Sequence, residues 1–307
     1  MANEITYASL TDLRVSEVLS GLYLLKLADR NALPNHPAIH YAGDASGSGS
    51  TTVKIPAIGW IGYDALAEVN ETVATTNTAL TDEAITVTVA RQSKQYQDTQ
   101  LAALTGSINF LSNPQAFVDD AFASQMMRLT DMICNVTDDY TTQEIETEVN
   151  LTVAKVMSAA IKLDIAKADT GQALLLLHPQ QWGDVKTDLL TSTAGAVQWS
   201  ASTQEQILVK GPGYQGRFFN MDVFTSSYVP TATGGEDRAG AIITPGAVVY
   251  ADATPVPDGD ANKLFMGKVV LAREFAASTD MRTTVFSAYM GVSKGLDAAG
   301  VTIISDA

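Results

Sequence analysis

The chain has 307 residues, 46% apolar and 17% charged, with 19 Lys and Arg against 34 Asp and Glu for a formal net charge of −15. The apolar content excludes global disorder. The absence of any run of Lys and Arg argues against a dedicated nucleic-acid binder or a polybasic membrane contact, since both need cations to displace counterions from phosphate.

Length predicts roughly two domains of about 150 residues each. The charged fraction is below the ~25% usual for soluble domains, which suggests that much surface ends up buried against something, other copies being one candidate. Cys134 is the single cysteine, so no intrachain disulfide and no multi-cysteine zinc site can form. The opening Met1-Ala-Asn-Glu-Ile-Thr lacks the charged and apolar regions of a signal peptide. The longest apolar run, Ala173–Leu177, falls far short of the ~18 residues of a membrane span. A reduced, cytosolic chain is expected.

Residues 9 to 28 read as a helix, with Leu10, Leu13, Val18, Leu22, Leu25 and Ala28 near helical spacing, and so much apolar surface must dock on something. Pro34 and Pro37 then end regular structure. Residues 43 to 50, Gly-Asp-Ala-Ser-Gly-Ser-Gly-Ser, have the composition of a flexible linker. A strand is expected at Thr51 to Ile55 and a second at Ala84 to Arg91, where Ile85, Val87 and Val89 alternate with Thr86, Thr88 and Ala90. Between them runs an acidic, Thr-rich excursion with Asp64, Glu68, Glu71, Asp82 and Glu83. Two strands joined in this way form an extended arm that is marginal alone and needs a surface to lie on. Lys54, Arg91 and Lys94 gather on or beside it. They read either as a solvated face or as partners for intersubunit ion pairs, which at about 0–1 kcal/mol each set register more than strength.

Pro114 opens the clearest helix, 114 to 134, with Phe117, Ala121, Phe122, Met126, Leu129 and Ile133 along one side. A second helix is expected from Gln143 to Ala168. Ala173 to Leu177 is a short buried strand, and His178-Pro179 begins a helix through Leu190. Gln206 to Lys210, Arg217 to Phe224 and Gly240 to Thr244 read as strands, with another apolar run at Gly246 to Tyr250. A polar turn follows at 251 to 263, then strands at Lys268 to Glu274, Thr283 to Met290 and Val301 to Ser305. The mixture has no βαβ repeat, so the fold class is α+β.

Signatures of chemistry fail one by one. Gly211-Pro-Gly213-Tyr-Gln-Gly216 matches G-x-G-x-x-G, but a strand rather than a helix follows, so no helix N-terminus meets a pyrophosphate. Asp258-Gly-Asp260-Ala-Asn262 opens like a calcium loop, but Lys263 and Val269 stand where a glycine and a glutamate are required. His36 and His40 are separated by Pro37 and cannot share a helix face for zinc, and His178 reads as a turn residue. No G-x-S-x-G occurs, and Cys134 reads as a core residue. No catalytic, cofactor or metal residue is expected, and no cofactor.

The order of these elements resembles the major capsid protein of tailed bacteriophages, the HK97-like fold. Leu174-Leu-Leu-Leu-His-Pro-Gln-Gln-Trp-Gly-Asp-Val resembles the strand-to-helix step of its axial domain. Gly213-Tyr-Gln-Gly-Arg-Phe-Phe-Asn-Met-Asp-Val-Phe-Thr-Ser through Val229-Pro230 is similar to its G…G…V…S…P stretch, and Ala239 to Ala251 to the strand and short helix after it. Met281-Arg-Thr-Thr-Val-Phe-Ser-Ala-Tyr-Met-Gly-Val resembles its last peripheral strand.

The resemblance implies an N-terminal arm at 1–50 and an extended loop at 51–95. It implies a peripheral domain at 96–144 and 267–307, with its long spine helix at about 114–134, and an axial domain at 145–266. It implies a virion protein made in the bacterial host cytoplasm. The subunit would assemble as a homo-oligomer of hexamers and pentamers into an icosahedral shell around phage DNA, and net negative charge would keep the lining from gripping that DNA. Partners would be a separate scaffolding protein, since the fold is expected to begin within ten residues of Met1, with a portal protein and a decoration protein. Intersubunit contacts are expected at Lys54, Arg91, Lys94, Asp64, Glu68 and Glu71 on the loop, and at Leu13 and Leu22 on the arm. A covalent Lys–Asn cross-link to the closing segment is not expected, because no asparagine follows Asn262. The alternatives are an encapsulin-type nanocompartment shell protein of the same fold, a tail component, and a cytosolic hydrolase with a dispersed site.

Overall fold

A computed structural model describes residues 4–5, 33–58 (except 48), 82–99, 114–191, 199–201, 206, 210, 213–232, 235 and 237–306 (except 258, 259, 261, 267 and 279). The expected helix at 9–28, with Leu13 and Leu22, lies outside them, as do Asp64, Glu68 and Glu71 of the acidic excursion, whereas its Asp82 and Glu83 open a strand.

In chain order the strands are β1 (Glu4–Ile5), β2 (Ile39–Asp44), β3 (Thr52–Ile58), β4 (Asp82–Thr88), β5 (Ala90–Thr99), β6 (Gln143–Asn150), β7 (Leu174–Leu177) and β8 (Trp199–Ala201). They continue with β9 (Tyr214–Phe218), β10 (Met221–Thr225), β11 (Arg238–Ile243), β12 (Val248–Ala253), β13 (Lys263–Met266), β14 (Val269–Ala276), β15 (Met281–Lys294) and β16 (Gly300–Asp306). The helices are α1 (Pro114–Asn135), α2 (Val153–Ile165) and α3 (Pro179–Thr191).

The strands form three sheets. The first is organised by the 14-residue β15. One edge of β15 takes β5 along Met281 to Met290; the other takes β14 along Met281 to Ala288 and then β12 from Tyr289 to Lys294. β2 adds to β12, β13 to β14 and β1 to the far end of β5. The second sheet runs β6-β16-β11-β7-β10-β9-β8. The third is the two-stranded β3–β4 ladder, paired from Thr52↔Thr88 to Ile58↔Asp82.

Packing explains the sequence of β7. Leu174 to Leu177 are all fully buried. Leu175 and Leu177 face α2 and α3 through Val156, Leu163, Trp182 and Val185. Leu174 and Leu176 face a core shared with α1 and the first sheet through Ile133, Leu271, Phe286 and Met290. A strand covered on both faces needs a continuous apolar run. The second core cluster thus welds the two large sheets into one body. α1 begins at Pro114, whose missing N–H costs nothing in a first turn, and buries Leu129, Ile133 and Cys134 toward its C-terminal end.

Several expectations are corrected. Gln143–Asn150 is not helical: it is strand β6, parallel to β16. Its Glu-Ile-Glu-Thr-Glu-Val alternation and β-branched residues favour a pleated strand, and α2 starts only at Val153. α2 stops at Ile165 because Lys167 turns left-handed at φ 58, with Ala168 N donating to Leu163 O at 3.1 Å.

Arg217 to Phe224 is not one strand but the β9–β10 hairpin, turned by Phe219 and Asn220 at φ 46 and 63. At Gln206 and Lys210, the described residues of another expected strand, the backbone is helical. The segment resembling a strand and short helix at 239–251 is two strands, β11 and the start of β12, belonging to different sheets.

The proposed linker is also tied down. Asp44 accepts from Ser46 N at 2.7 Å and from Thr254 N at 3.1 Å, and Ala45 N donates to Asp252 O at 2.8 Å. The Ser46 hydroxyl and then the Thr254 hydroxyl, helped by the two N–H groups, hold the Asp44 carboxyl well below the usual carboxylate range. Residues 90–95 belong to β5 in the first sheet rather than to the hairpin, β12 and β13 also join the first sheet, and the C-terminal β16 lies in the second.

Candidate functional site

Among the described residues, strands β3 and β4 pair only with each other, so their stability depends on what lies beneath. At their root, Val87 is fully buried with Val89, Ala45, Val249 and Ala251, and Val53, Ile55 and Ile85 pack partly against this patch. Of the other described side chains of the ladder, Thr52 is half-buried, and Lys54, Pro56, Ala84, Thr86 and Thr88 are exposed. β4 and β5 are separated by Val89 alone, whose N–H donates to Thr51 O at 2.8 Å. At this corner the ladder crosses β15 in close contact. A Cβ on residue 291 would lie 2.0 Å from Thr88 O, so only Gly291 lets the chain pass.

The expected basic group does not act as a unit. Lys54 stands exposed on β3. Arg91 donates from Nε and Nη2 to Ser287 Oγ at 3.0 and 2.9 Å, across to β15. Lys94 donates to Asp120 Oδ2 at 2.9 Å and to Ser124 Oγ at 3.2 Å, both on α1, and its ammonium lies 4.9 Å from the Tyr96 ring centroid. Tyr96 OH bonds to the same carboxylate. Within the subunit, Lys94 therefore pins the sheet to α1, and the acidic excursion is not its described partner. Burial alone lowers the Lys94 ammonium, but its bonds to Tyr96 and Asp120 outweigh this and raise it.

A second polar centre escaped the sequence reading. Asp222 on β10 is 8% exposed. It accepts from His36 Nε2 at 3.2 Å, from Arg217 Nε at 3.2 Å and from Lys210 Nζ. His36 Nδ1 in turn accepts from Ala38 N at 3.1 Å. Burial pushes the Asp222 carboxyl up, but the bonds from His36 and Lys210 prevail and bring it to about 2. This centre ties the segment entering β2 to the second sheet. Its partners are separated by 186 residues, so no local pattern announces it.

The tested motifs take structural roles. Gly213 and Gly216 have φ of 91 and 127 and lead into β9, not a helix. Asp260 accepts from Asn262 N at 3.0 Å in a turn. His178 Nδ1 accepts from Gln180 N at 3.4 Å, and burial lowers its imidazole, helped by Arg238. Cys134 is buried in the shared core. A cavity of about 300 Å³ between α1 and the first sheet is lined by Lys94, Ser124, Arg128, Phe286 and Ser287 among others, and its described lining holds no histidine or carboxylate. Among the described residues, no helix is long and apolar enough to cross a membrane.

No family model matches the chain, and no curated protein matches it by sequence. Solved structures do match in fold. The capsid of the cyanophage P-SCSP1u superposes with a TM-score of 0.62 at 10% identity, over 95% of this chain and 93% of that one. The capsid of Ralstonia phage GP4 gives 0.62 at 10% identity, over 98% of both chains. The SrpI encapsulin of Synechococcus elongatus PCC 7942 gives 0.61 at 9% identity, over 96% of this chain and 94% of that one. The chain thus has the HK97-like fold of shell-forming proteins, along nearly its whole length.

Proposed function

We propose that this chain is a structural shell subunit, the major capsid protein of a tailed bacteriophage, and not an enzyme. The observation that carries this reading is the β3–β4 ladder: two strands joined to the body through a small buried root against Val249 and Ala251 of β12, with much of the remaining surface exposed. Such a ladder is marginal in isolation and is completed by lying on a neighbour. The first sheet with α1 serves as the peripheral domain, the second sheet with α2 and α3 as the axial domain, and the ladder as the base of the extended loop. Subunits assemble through hexamers and pentamers into an icosahedral virion shell around DNA. They are made in the host cytoplasm and guided by a separate scaffolding protein, with portal and decoration proteins completing the particle. Lys54, Asp64, Glu68, Glu71, Leu13 and Leu22 are proposed contacts between subunits.

A second reading, an encapsulin-type compartment, is favoured by one observation: an encapsulin superposes as well as the phage capsids do. Negative-stain electron microscopy of the expressed chain, alone and with a candidate scaffold, separates them. Closed shells that need scaffold support the capsid, whereas shells formed by the chain alone around a cargo protein support the encapsulin. Only small discrete oligomers under both conditions overturn both. On a denaturing gel, subunits from assembled particles should run as monomers; a ladder of covalent multimers would contradict the absence of a cross-link.

A further inference from the structure

The far ends of β5, β14 and β15, residues 95–99, 272–276 and 281–283, form a three-stranded ribbon in which no described side chain is fully buried. In its register Phe275 opposes Arg282 and Arg273 opposes Thr284. Alternation therefore puts Arg273, Phe275 and Arg282 on one face. All three are exposed, and 52% of Phe275 is open to solvent.

The two guanidinium groups differ from several cations among the described residues. Lys94, Lys162, Lys210, Lys268 and Lys294 each hold a carboxylate. Neither Arg273 nor Arg282 has a side-chain hydrogen bond or ion pair with any described residue. Two unpaired cations flanking an exposed aromatic ring are unusual on a chain with 15 more acidic than basic groups. Arginine and aromatic residues are the groups that anchor protein interfaces, and a guanidinium fork binds a carboxylate through two charge-assisted bonds.

Resting on the shell reading, we infer that this ribbon face docks on a carboxylate-rich surface of a second copy of the chain. Phe275 is the apolar anchor, and Arg273 and Arg282 are the groups that receive the partner's carboxylates. Charge complementarity selects this occupant, because every copy carries the acidic excess that these arginines lack within their own subunit.

The test uses the full chain with the double reversal Arg273→Glu/Arg282→Glu, the single change Phe275→Ser, and a charge-matched control, Lys167→Glu/Lys186→Glu. Particle yield is read by gradient sedimentation and electron microscopy, and folding by circular dichroism. The double reversal should keep the wild-type melting curve and lower particle yield at least tenfold, Phe275→Ser should lower it several-fold, and the control should leave it unchanged. Wild-type yield from the double reversal overturns this inference alone, and an equal loss in the control overturns it in favour of net charge. A double reversal that does not fold also overturns it, since the ribbon face would then serve the subunit itself. A wild-type chain that forms no particles either alone or with scaffold overturns the shell reading, and this inference with it.

Discussion

Strand β7 and the β3–β4 ladder are both β-structure rich in Val, Ile or Leu, yet they are stabilised in opposite ways. Every residue of the four-residue β7 is fully buried, with a strand on each side and a core on each face. The seven-residue strands β3 and β4 have one partner each, and of their described side chains only Val87 is fully buried. Strand length does not decide stability here; the number of covered faces does. β7 belongs to what the subunit needs to fold, and the ladder to what it offers a neighbour.

Substitutions should separate these roles. Leu175→Ala removes buried volume between β7 and the helices and should cost about 2–5 kcal/mol of subunit stability, seen as a lowered denaturation midpoint before any assembly. Gly291→Ala forces the ladder away from β15 and should cost about 1–3 kcal/mol at the root. It should lower hydrogen-exchange protection of β3 and β4 and particle yield far more than protection of β7. If β7 loses protection equally, the ladder is not a separable element.

Asp222→Asn leaves His36, Lys210 and Arg217 facing a neutral amide and should cost about 1–3 kcal/mol. It also has a pH signature. The folded carboxyl lies at about 2, below its ordinary 3.8, so its contribution is present above 3.8 and is lost as pH falls toward about 2. Acid unfolding curves of the wild type should steepen in that window, and the Asn variant should show a shallower slope there. The smallest effect is expected from Lys94→Met. It breaks a pair whose two side chains are each 46% exposed and should cost at most about 1 kcal/mol in a thermal melt.

Where the periodicity was clean, the fold was legible. The alternation of Ile85 and Val87, the Pro114 start of α1 and the Leu174–Leu177 run each led to the right element, although the strand expected from Ala84 to Arg91 breaks at Val89 into β4 and β5 of different sheets. β6 was missed because Ile145 and Val149, four apart, extend the helical stripe of Val153, Val156 and Ala160 while also satisfying a strand's period of two. The β9–β10 turn was missed because Phe219 occupies a left-handed position that its sequence neighbours did not advertise, although Asn220 beside it tolerates one. Sheet membership of β12 and β16 was not legible, since an apolar strand does not say which sheet buries it. Of the candidate site, the ladder was readable. Its seat on Gly291 and the Asp222 centre were not, because both depend on approaches between residues far apart in sequence.

The central claim is that the ladder is completed by a neighbour, and hydrogen exchange on the free subunit and on assembled particles tests it most directly. The account predicts that β7 amides are strongly protected in both states, whereas β3 and β4 amides exchange quickly in the subunit and become protected on assembly. Protection of the ladder equal to that of β7 in the free subunit, unchanged in particles, would contradict it.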